Sequence, residues 1–355
     1  MRNVLAMMLI FGMTLALAAC TPAPVSLPLI GISMPTQHSE RWVKEGHVMK
    51  DILEEKGFSV NLQYAGDDIS TQKRQIESML ADGARVLIIS AIDATALAGI
   101  LDNAATKGVK VISYDRLLVN TSAVSYYATF DNEGVGILQA ESLLEGLRER
   151  KGEGPWNIEL FAGSPDDTNS FFFFNGAMSV LQPLIDEGQI NIRSGKMSQR
   201  EVSTLRWDGA AAQARMDAAL AAHYSDGTPL HGVLSPYDGI SRGIIAAFIS
   251  FGYDVGSGNW PIVTGQDATA PSIALIRSGH QYSTILKDTR DLARVAVDMV
   301  EAVLAGSEPR INDIETYFNN VIIVPSYLLA PATVNIGNYR ELVMESGYLT
   351  EEDIR

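Results

Sequence analysis

From Leu29 onward, apolar runs of strand length alternate with longer segments in which apolar residues recur every three or four positions. No other feature constrains the fold as strongly, because strand-helix-strand repeats build a parallel sheet with its crossover helices on the faces. "PLIGISMP" leads into a predicted helix over 39–56, where Trp42, Val48, Met49, Ile52 and Leu53 give helical spacing and Gly57 is the stop. "FSVNLQYA" precedes a predicted helix over 69–82, "ARVLIISAI" one over 95–107, and "VSYYATF" one over 134–150, with "KVISY" as the strand between the last two. After the break "KGEGP" the grammar restarts: "WNIELFAG", "INIRSG", "HGVLSP" and "PIVTG" precede predicted helices over 172–187, 209–223, 240–252 and 272–279, and "YSTILK" follows. Two successive doubly wound α/β units account for this order. A chain of 355 residues is long enough for both, since single cores stop growing at roughly 250–300 residues. A helix over 292–304 and the strand "NVIIVPSYLL" come after the second unit is complete, so the chain is expected to cross back.

Ahead of the first strand, Arg2 precedes an unbroken small and apolar stretch from Val4 to Ala19, which stops at the only cysteine, Cys20. The short basic start and small-residue end read as a secretory signal over 1–19. Leu17-Ala18-Ala19-Cys20 resembles the bacterial lipobox, which implies cleavage before Cys20 and a lipid on its sulfur; the competing reading is an ordinary signal with an incidental cysteine. Residues 20–28, with "TPAPVSLP", read as an extended tether. The folded protein is therefore expected outside the cytoplasmic membrane, without an internal disulfide. A formal net charge of −15 argues against a nucleic-acid surface, which needs clustered Lys and Arg.

Successive strands end alike. Asp93 follows "LIISAI", Asp115-Arg116 follow "VISY", Asp166, Asp167 and Asn169 follow "IELFAGSP", Asp238 follows "VLSPY", Asp267 follows "IVTGQ", and Lys287-Asp288 follow "STIL". In open α/β sheets ligands bind beyond the carboxyl ends of the strands, so two facing units give these charges one shared crevice. Carboxylates, an amide, a guanidinium and an ammonium, with no thiol or imidazole nearby, suit a neutral polyhydroxylated ligand. Sugar C–H faces pack on flat rings, and Trp42, Phe171 to Phe174, and Trp207 lie at helix starts facing the same crevice. Each residue also has an ordinary alternative: any one Asp is equally an N-cap, Trp42 equally part of the core, and at least two of Phe172, Phe173 and Phe174 must be core.

At "SERW", "SAID", "SYDR", "YYATFDN", "GSPDDTN", "LRWDGAAAQARMD", "LSPYDG", "GQDA" and "STILKDTR" the chain resembles the type I periplasmic sugar-binding proteins, in particular the xylose-binding and multiple-monosaccharide-binding members. The likeness runs in order from about Leu29 to the C-terminus. It implies two α/β lobes joined by three crossings and closing on one monosaccharide, an aldopentose or aldohexose. Residues 29–131 with 289–323 would form the first lobe, and 132–288 with 324–355 the second. Sugar hydrogen bonds are expected from Arg41, Asp93, Asp115, Arg116, Asn169, Asp238, Asp267 and Lys287, and stacking from Trp42, Phe171 and Trp207. Close relatives have "DDNNA" where this chain has "DDTNS", so Thr168 and Ser170 depart from the pattern and the fine specificity does not carry over. The implied partner is the permease of an ABC importer, with a chemoreceptor or sensor kinase as a second; the protein is expected to act as a monomer, to need no cofactor or metal and to catalyse no reaction.

Enzyme readings compete with this. "GISRG" fits the G-x-S-x-G string of Ser hydrolases, with Asp267 and His280 following in hydrolase order. A nucleophile elbow, however, puts the serine on the turn directly after a strand, where this chain has Asp238, and Ser241 falls within the helix. A glycosidase needs two opposed carboxylates and an open cleft for the leaving group. No Walker A string, H-E-x-x-H, C-x-x-C or calcium loop is present, and the five histidines are scattered. The effector core of a repressor shares the fold, but the secretion signal and the lack of a basic helix-turn-helix speak against it.

Overall fold

The computed structural model describes residues 27–354; the signal over 1–19, Cys20 and most of the tether lie outside the described residues. The first lobe is a six-stranded parallel sheet built from β1 (Leu29–Met34), β2 (Ser59–Tyr64), β3 (Val86–Ile89), β4 (Lys110–Tyr114), β5 (Val124–Phe130) and β11 (Ser326–Leu329), in the order β11-β5-β4-β3-β1-β2. Its central strands bury both faces, which is why they read as continuous apolar runs, while the edge strand β2 stays partly exposed. Val86 and Ile88 pack with Ile30 and Ile32 under α1 (Glu40–Glu55) and α10 (Thr289–Leu304), while Leu87 and Ile89 pack on the other face under α2 (Ile69–Ala81) and α3 (Ala98–Thr106). On α1 the buried residues Trp42, Glu45, Gly46, Met49 and Leu53 keep the helical spacing, and Gly57, at φ +86°, turns the chain away.

The second lobe repeats the plan. Strands β6 (Trp156–Leu160), β7 (Ile190–Ile192), β8 (Gly232–Leu234) and β9 (Ile262–Val263) are parallel in the order β7-β6-β8-β9, and β10 (Ser283–Leu286) lies alongside through a bridge between Gln266 and Ile285. In both sheets the strand order reverses beside the lobe's first strand, and the two crevices so formed face each other. Helices α4 (Asn132–Lys151) and α5 (Thr168–Asp186) cross on glycines: a Cβ at Gly136 would stand 1.9 Å from the Phe173 carbonyl oxygen, and one at Gly176 would stand 2.1 Å from that of Glu133. Helices α7 (Gly209–His223) and α8 (Asp238–Phe251) do the same, because a Cβ at Gly243 would fall 2.0 Å from the Gly209 carbonyl oxygen.

Three differences from the sequence reading have local causes. Residues 324–329, expected in the second lobe, belong to the first, because β11 pairs with β5 in the register Ser326↔Tyr127. The third crossing therefore falls at Ala330 and Pro331, before β12 (Ala332–Asn335) pairs antiparallel with β10. Helix α5 starts at Thr168 rather than Phe172, because Asp167 caps it by accepting from Asn169 N. Helix α3 starts at Ala98 rather than Thr95, because the Asp93 carboxylate takes both the backbone N–H and the hydroxyl of Thr95 and holds a turn there.

Candidate functional site

The facing crevices enclose a cavity of about 250 Å³. From the first lobe, Arg41 and Trp42 reach it from the first turn of α1, and Asp115 and Arg116 from the end of β4. From the second lobe come Asn169 at the start of α5, Trp207 before α7, Asp267 after β9, and Lys287 after β10. These positions lie beyond the carboxyl ends of the strands, and the sequence reading places all of them at the site.

The charges form compensated pairs. Arg41 donates to Asp115 and, through Nε, to Glu45 at 2.5 Å, and its Nη1 lies 3.9 Å from Asp267. Lys287, 2% exposed, places Nζ 3.1 Å from Asp267, and Arg116 Nε lies 3.0 Å from Asp167. Burial opposes the Arg41 charge, but Asp115, Glu45 and Asp267 outweigh it and hold that guanidinium well above its ordinary pKa. Burial likewise pushes the Asp115 carboxyl up, and Arg41 and Lys287 together reverse the effect and hold it below the usual carboxylate range. At Asp167 burial prevails over Arg116, and the pKa is raised. Behind Arg41, burial pushes Glu45 up to about 7, and Tyr114 Oη donates to its second oxygen at 2.5 Å.

Asp115 has a left-handed backbone, φ +60°, which costs a non-glycine residue free energy unless its surroundings over-determine it. Here its carbonyl oxygen is held by three side chains: Tyr127 Oη at 2.6 Å, Asn169 Nδ2 at 2.8 Å and Thr129 Oγ1 at 3.1 Å. The Asn169 contact links the lobes and uses one of the amide's two N–H groups. Arg206, Trp207 and Asp267 on the opposite wall are left-handed as well. Trp207 lies against Gly163, where a Cβ would come within 1.9 Å of the indole, and it meets Phe173 and Tyr237 edge-on at 6.3 and 5.9 Å between centroids. Trp42 is both core and wall: it is 6% exposed, lines the cavity, and has the guanidinium carbons of Arg41 and Arg116 4.5 and 5.5 Å from its ring centroid.

Three expected residues lie elsewhere. Asp238 is fully buried behind the wall, where Oδ1 accepts from Gln281 and Thr284 and Oδ2 from Thr269 N and Oγ1. It thus holds the loop that carries Gln266 and Asp267, and burial pushes its pKa up to about 6. Asp93 and Phe171 line a separate hollow. Conversely, His38, Arg206, Tyr237 and Gln266 line the cavity and were not selected from sequence, so an imidazole does stand nearby; Asp167 and Phe173, read only as a strand-end acid and a helix-start ring and not as sugar contacts, line it as well. The spacing of Asn169 and Phe173 would have revealed the latter had α5 been started at its cap, because residues four apart share a face. Ser170 is buried and accepts from Gln199, away from the cavity.

The hydrolase constellation does not assemble. Ser241 is fully buried and donates to the Thr264 carbonyl at 2.7 Å, while His280 pairs with Ser278 and stacks edge-on against Trp260. Gly243 of "GISRG" is a helix-crossing glycine. Among the described residues no group of three or more His, Cys, Asp or Glu is placed to hold a metal ion, and no helix is long and apolar enough to cross a membrane.

The periplasmic binding protein domain model matches residues 30–308. The multiple sugar-binding periplasmic receptor ChvE of Rhizobium radiobacter is 50% identical over 326 residues, covering 92% of each chain. The multiple sugar-binding periplasmic protein SbpA of Azospirillum brasilense is 51% identical over 328 residues, 92% of this chain and 91% of its own. An ABC transporter solute binding protein from Clostridium phytofermentans, solved with β-D-glucose bound, superposes with a TM-score of 0.87 at 43% identity, covering 92% of this chain and all of its own.

Proposed function

Because this chain belongs to the periplasmic binding protein family, we propose that it is an extracytoplasmic receptor that captures one monosaccharide between its lobes and hands it, unaltered, to an ABC importer. One observation carries this reading: three of the carboxylates in the cavity walls, Asp115, Asp167 and Asp267, are each engaged by a cation, with two indoles alongside. Such a lining has little net pull on a charged ligand, yet its free lone pairs and N–H groups match hydroxyls and a ring oxygen. A volume of about 250 Å³ lies just under the roughly 300–1,000 Å³ typical of drug-sized pockets and suits a small guest.

In this mechanism Asp115, Asp167 and Asp267 accept from sugar hydroxyls, while Arg41, Arg116, Lys287 and the remaining N–H of Asn169 donate. Trp42 and Trp207 offer the apolar surface for the C–H faces. Selectivity follows because a ligand lacking one hydroxyl leaves a desolvated acid unmatched, at about 1–3 kcal/mol. Closure brings the lobes together around the ligand and completes the surface offered to the permease. Cys20 supplies the lipid anchor, a reading that rests on sequence alone.

Titration calorimetry over a panel of monosaccharides, with chromatography of the recovered ligand, tests the reading. D-glucose comes first, because structural relatives hold it. Saturable binding with the sugar recovered unchanged is the expected result, in the native chain and in Ser241→Ala alike. Absence of binding across aldopentoses and aldohexoses, or a hydrolysed product that Ser241→Ala abolishes, would overturn it.

A further inference from the structure

Asp93 and Phe171 meet across a second hollow of about 360 Å³ between the lobes, walled by Leu117 and Phe318 on one side and Asp166 and Phe172 on the other. The start of α5 and one interlobe ion pair lie between it and the sugar cavity. Arg116 reaches across the lobes to Asp167 at 3.0 Å and donates to the Ala91 carbonyl at 3.0 Å. Next to these residues along the chain, the side chains line the other space: Leu117 follows Arg116, and Asp166 and Thr168 flank Asp167. Helix α5 divides the same way, with Asn169 and Phe173 lining the first space and Thr168, Phe171 and Phe172 the second. The two hollows are thus compartments of one interlobe cleft.

We propose that the Arg116–Asp167 pair is a partition that limits the guest to a single sugar ring, and that the compartment behind it is a subsite for a second sugar ring joined to the first. This rests on the monosaccharide reading above. The second compartment has the same two kinds of group that suit a sugar. Phe171 and Phe318 are 43% and 58% exposed, an open aromatic surface for C–H faces. Asp93 and Asp166 stand beside them, and the hydrogen bonds that each accepts within the protein fall on Oδ1, from Thr95 and from Ser164 respectively, leaving Oδ2 to accept from hydroxyls. In the same wall the Thr168 hydroxyl is buried without a protein partner.

The test is the double variant Arg116→Ala/Asp167→Ser, in which serine keeps the cap on α5, titrated with D-glucose, maltose, cellobiose and phenyl β-D-glucoside. The native chain should bind glucose and neither disaccharide. In the variant glucose binding weakens, because Arg116 is itself a ligand group, while the ratio of disaccharide to glucose affinity rises about tenfold or more for at least one linkage. Adding Phe171→Ala to the variant should erase that rise, whereas Phe171→Ala alone should leave glucose affinity within about twofold. An unchanged ratio in a variant with native circular dichroism overturns the proposal, as does a gain for phenyl β-D-glucoside alone or one that survives loss of Phe171. If the double variant does not fold, Asp167→Asn, which keeps both cap and shape, must show the same shift in smaller measure, and its absence there is equally decisive. A native chain that binds no monosaccharide at all would instead refute the receptor reading, so the two failures are distinct.

Discussion

The two walls of the cavity are built differently. On the first-lobe side, Arg41, Trp42, Asp115 and Arg116 sit at the ends of a five-residue strand and a regular helix backed by a six-stranded sheet whose central strands are buried on both faces. On the second-lobe side the strands behind the cavity are short, with β8 of 3 residues and β9 of 2, and apart from Asn169 and Phe173 on α5 most of the groups stand on irregular backbone. Arg206, Trp207, Asp267 and Ala268 are all left-handed there. What replaces the regular ladder is a set of buried polar anchors: Asp238 grips the 266–269 loop through Thr269, Gln281 and Thr284, and Ser164 Oγ accepts from Arg206 N at 2.8 Å. One wall is thus fixed mainly by secondary structure, with the left-handed Asp115 as an exception, and the other mainly by buried side chains behind the cavity.

The largest effect that would break this contrast lies on the regular wall. Asp115→Asn keeps a residue tolerant of left-handed backbone but removes the charge facing Arg41, so ligand affinity should fall by about 100-fold or more, read by calorimetry. A loss of less than about fivefold would show that Arg41 does not depend on it. A test of intermediate size separates the walls by pH. Glu45 on the first lobe and Asp238 on the second both have folded pKa values above their unfolded ones, about 7 and about 6. In each the protonated form is favoured by the fold, so stability should fall as pH rises from the unfolded value toward the folded one and level off above it, by a few kcal/mol in all. Glu45→Gln should flatten the thermal-stability profile up to about pH 7, and Asp238→Asn only up to about pH 6. Equal profiles in the two variants would remove the distinction. The smallest effect belongs outside both walls: Asp93→Ala should leave glucose affinity within about twofold while lowering stability by about 0.5–2 kcal/mol through the lost turn before α3.

The same contrast explains what the sequence made legible. Strand-helix alternation depends on local periodicity, so both units, nearly every helix and the strand-end pair Asp115 and Arg116 follow from it, whereas Arg41 was expected only through the family resemblance. Asp115, Asp238 and Asp267 look alike in sequence, each the first acid beyond a strand. Whether such a carboxylate faces the cleft or turns inward is decided by partners far along the chain, Gln281 and Thr284 for Asp238, Arg41 and Lys287 for the others. Arg206 gave no signal, because a left-handed turn at Arg and Trp has no composition to announce it. Phe173 was legible in principle, being four residues from Asn169, and was obscured by the misplaced start of α5. The strand at 326–329 was read as a strand but assigned to the wrong lobe, since its pattern does not say which sheet edge is open.

The crossing of α4 and α5 on Gly136 and Gly176 has a mechanical consequence. With backbone lying on backbone, there is no compressible side chain between the two rods, and they cannot press closer or slide past one another without collision. The first rod begins where the chain enters the second lobe, and the second ends, at its start, on Asn169. Rotation at the lobe junction therefore reaches the ligand-facing amide as through a lever without play, and an alanine at either glycine would introduce backlash far from the cavity itself.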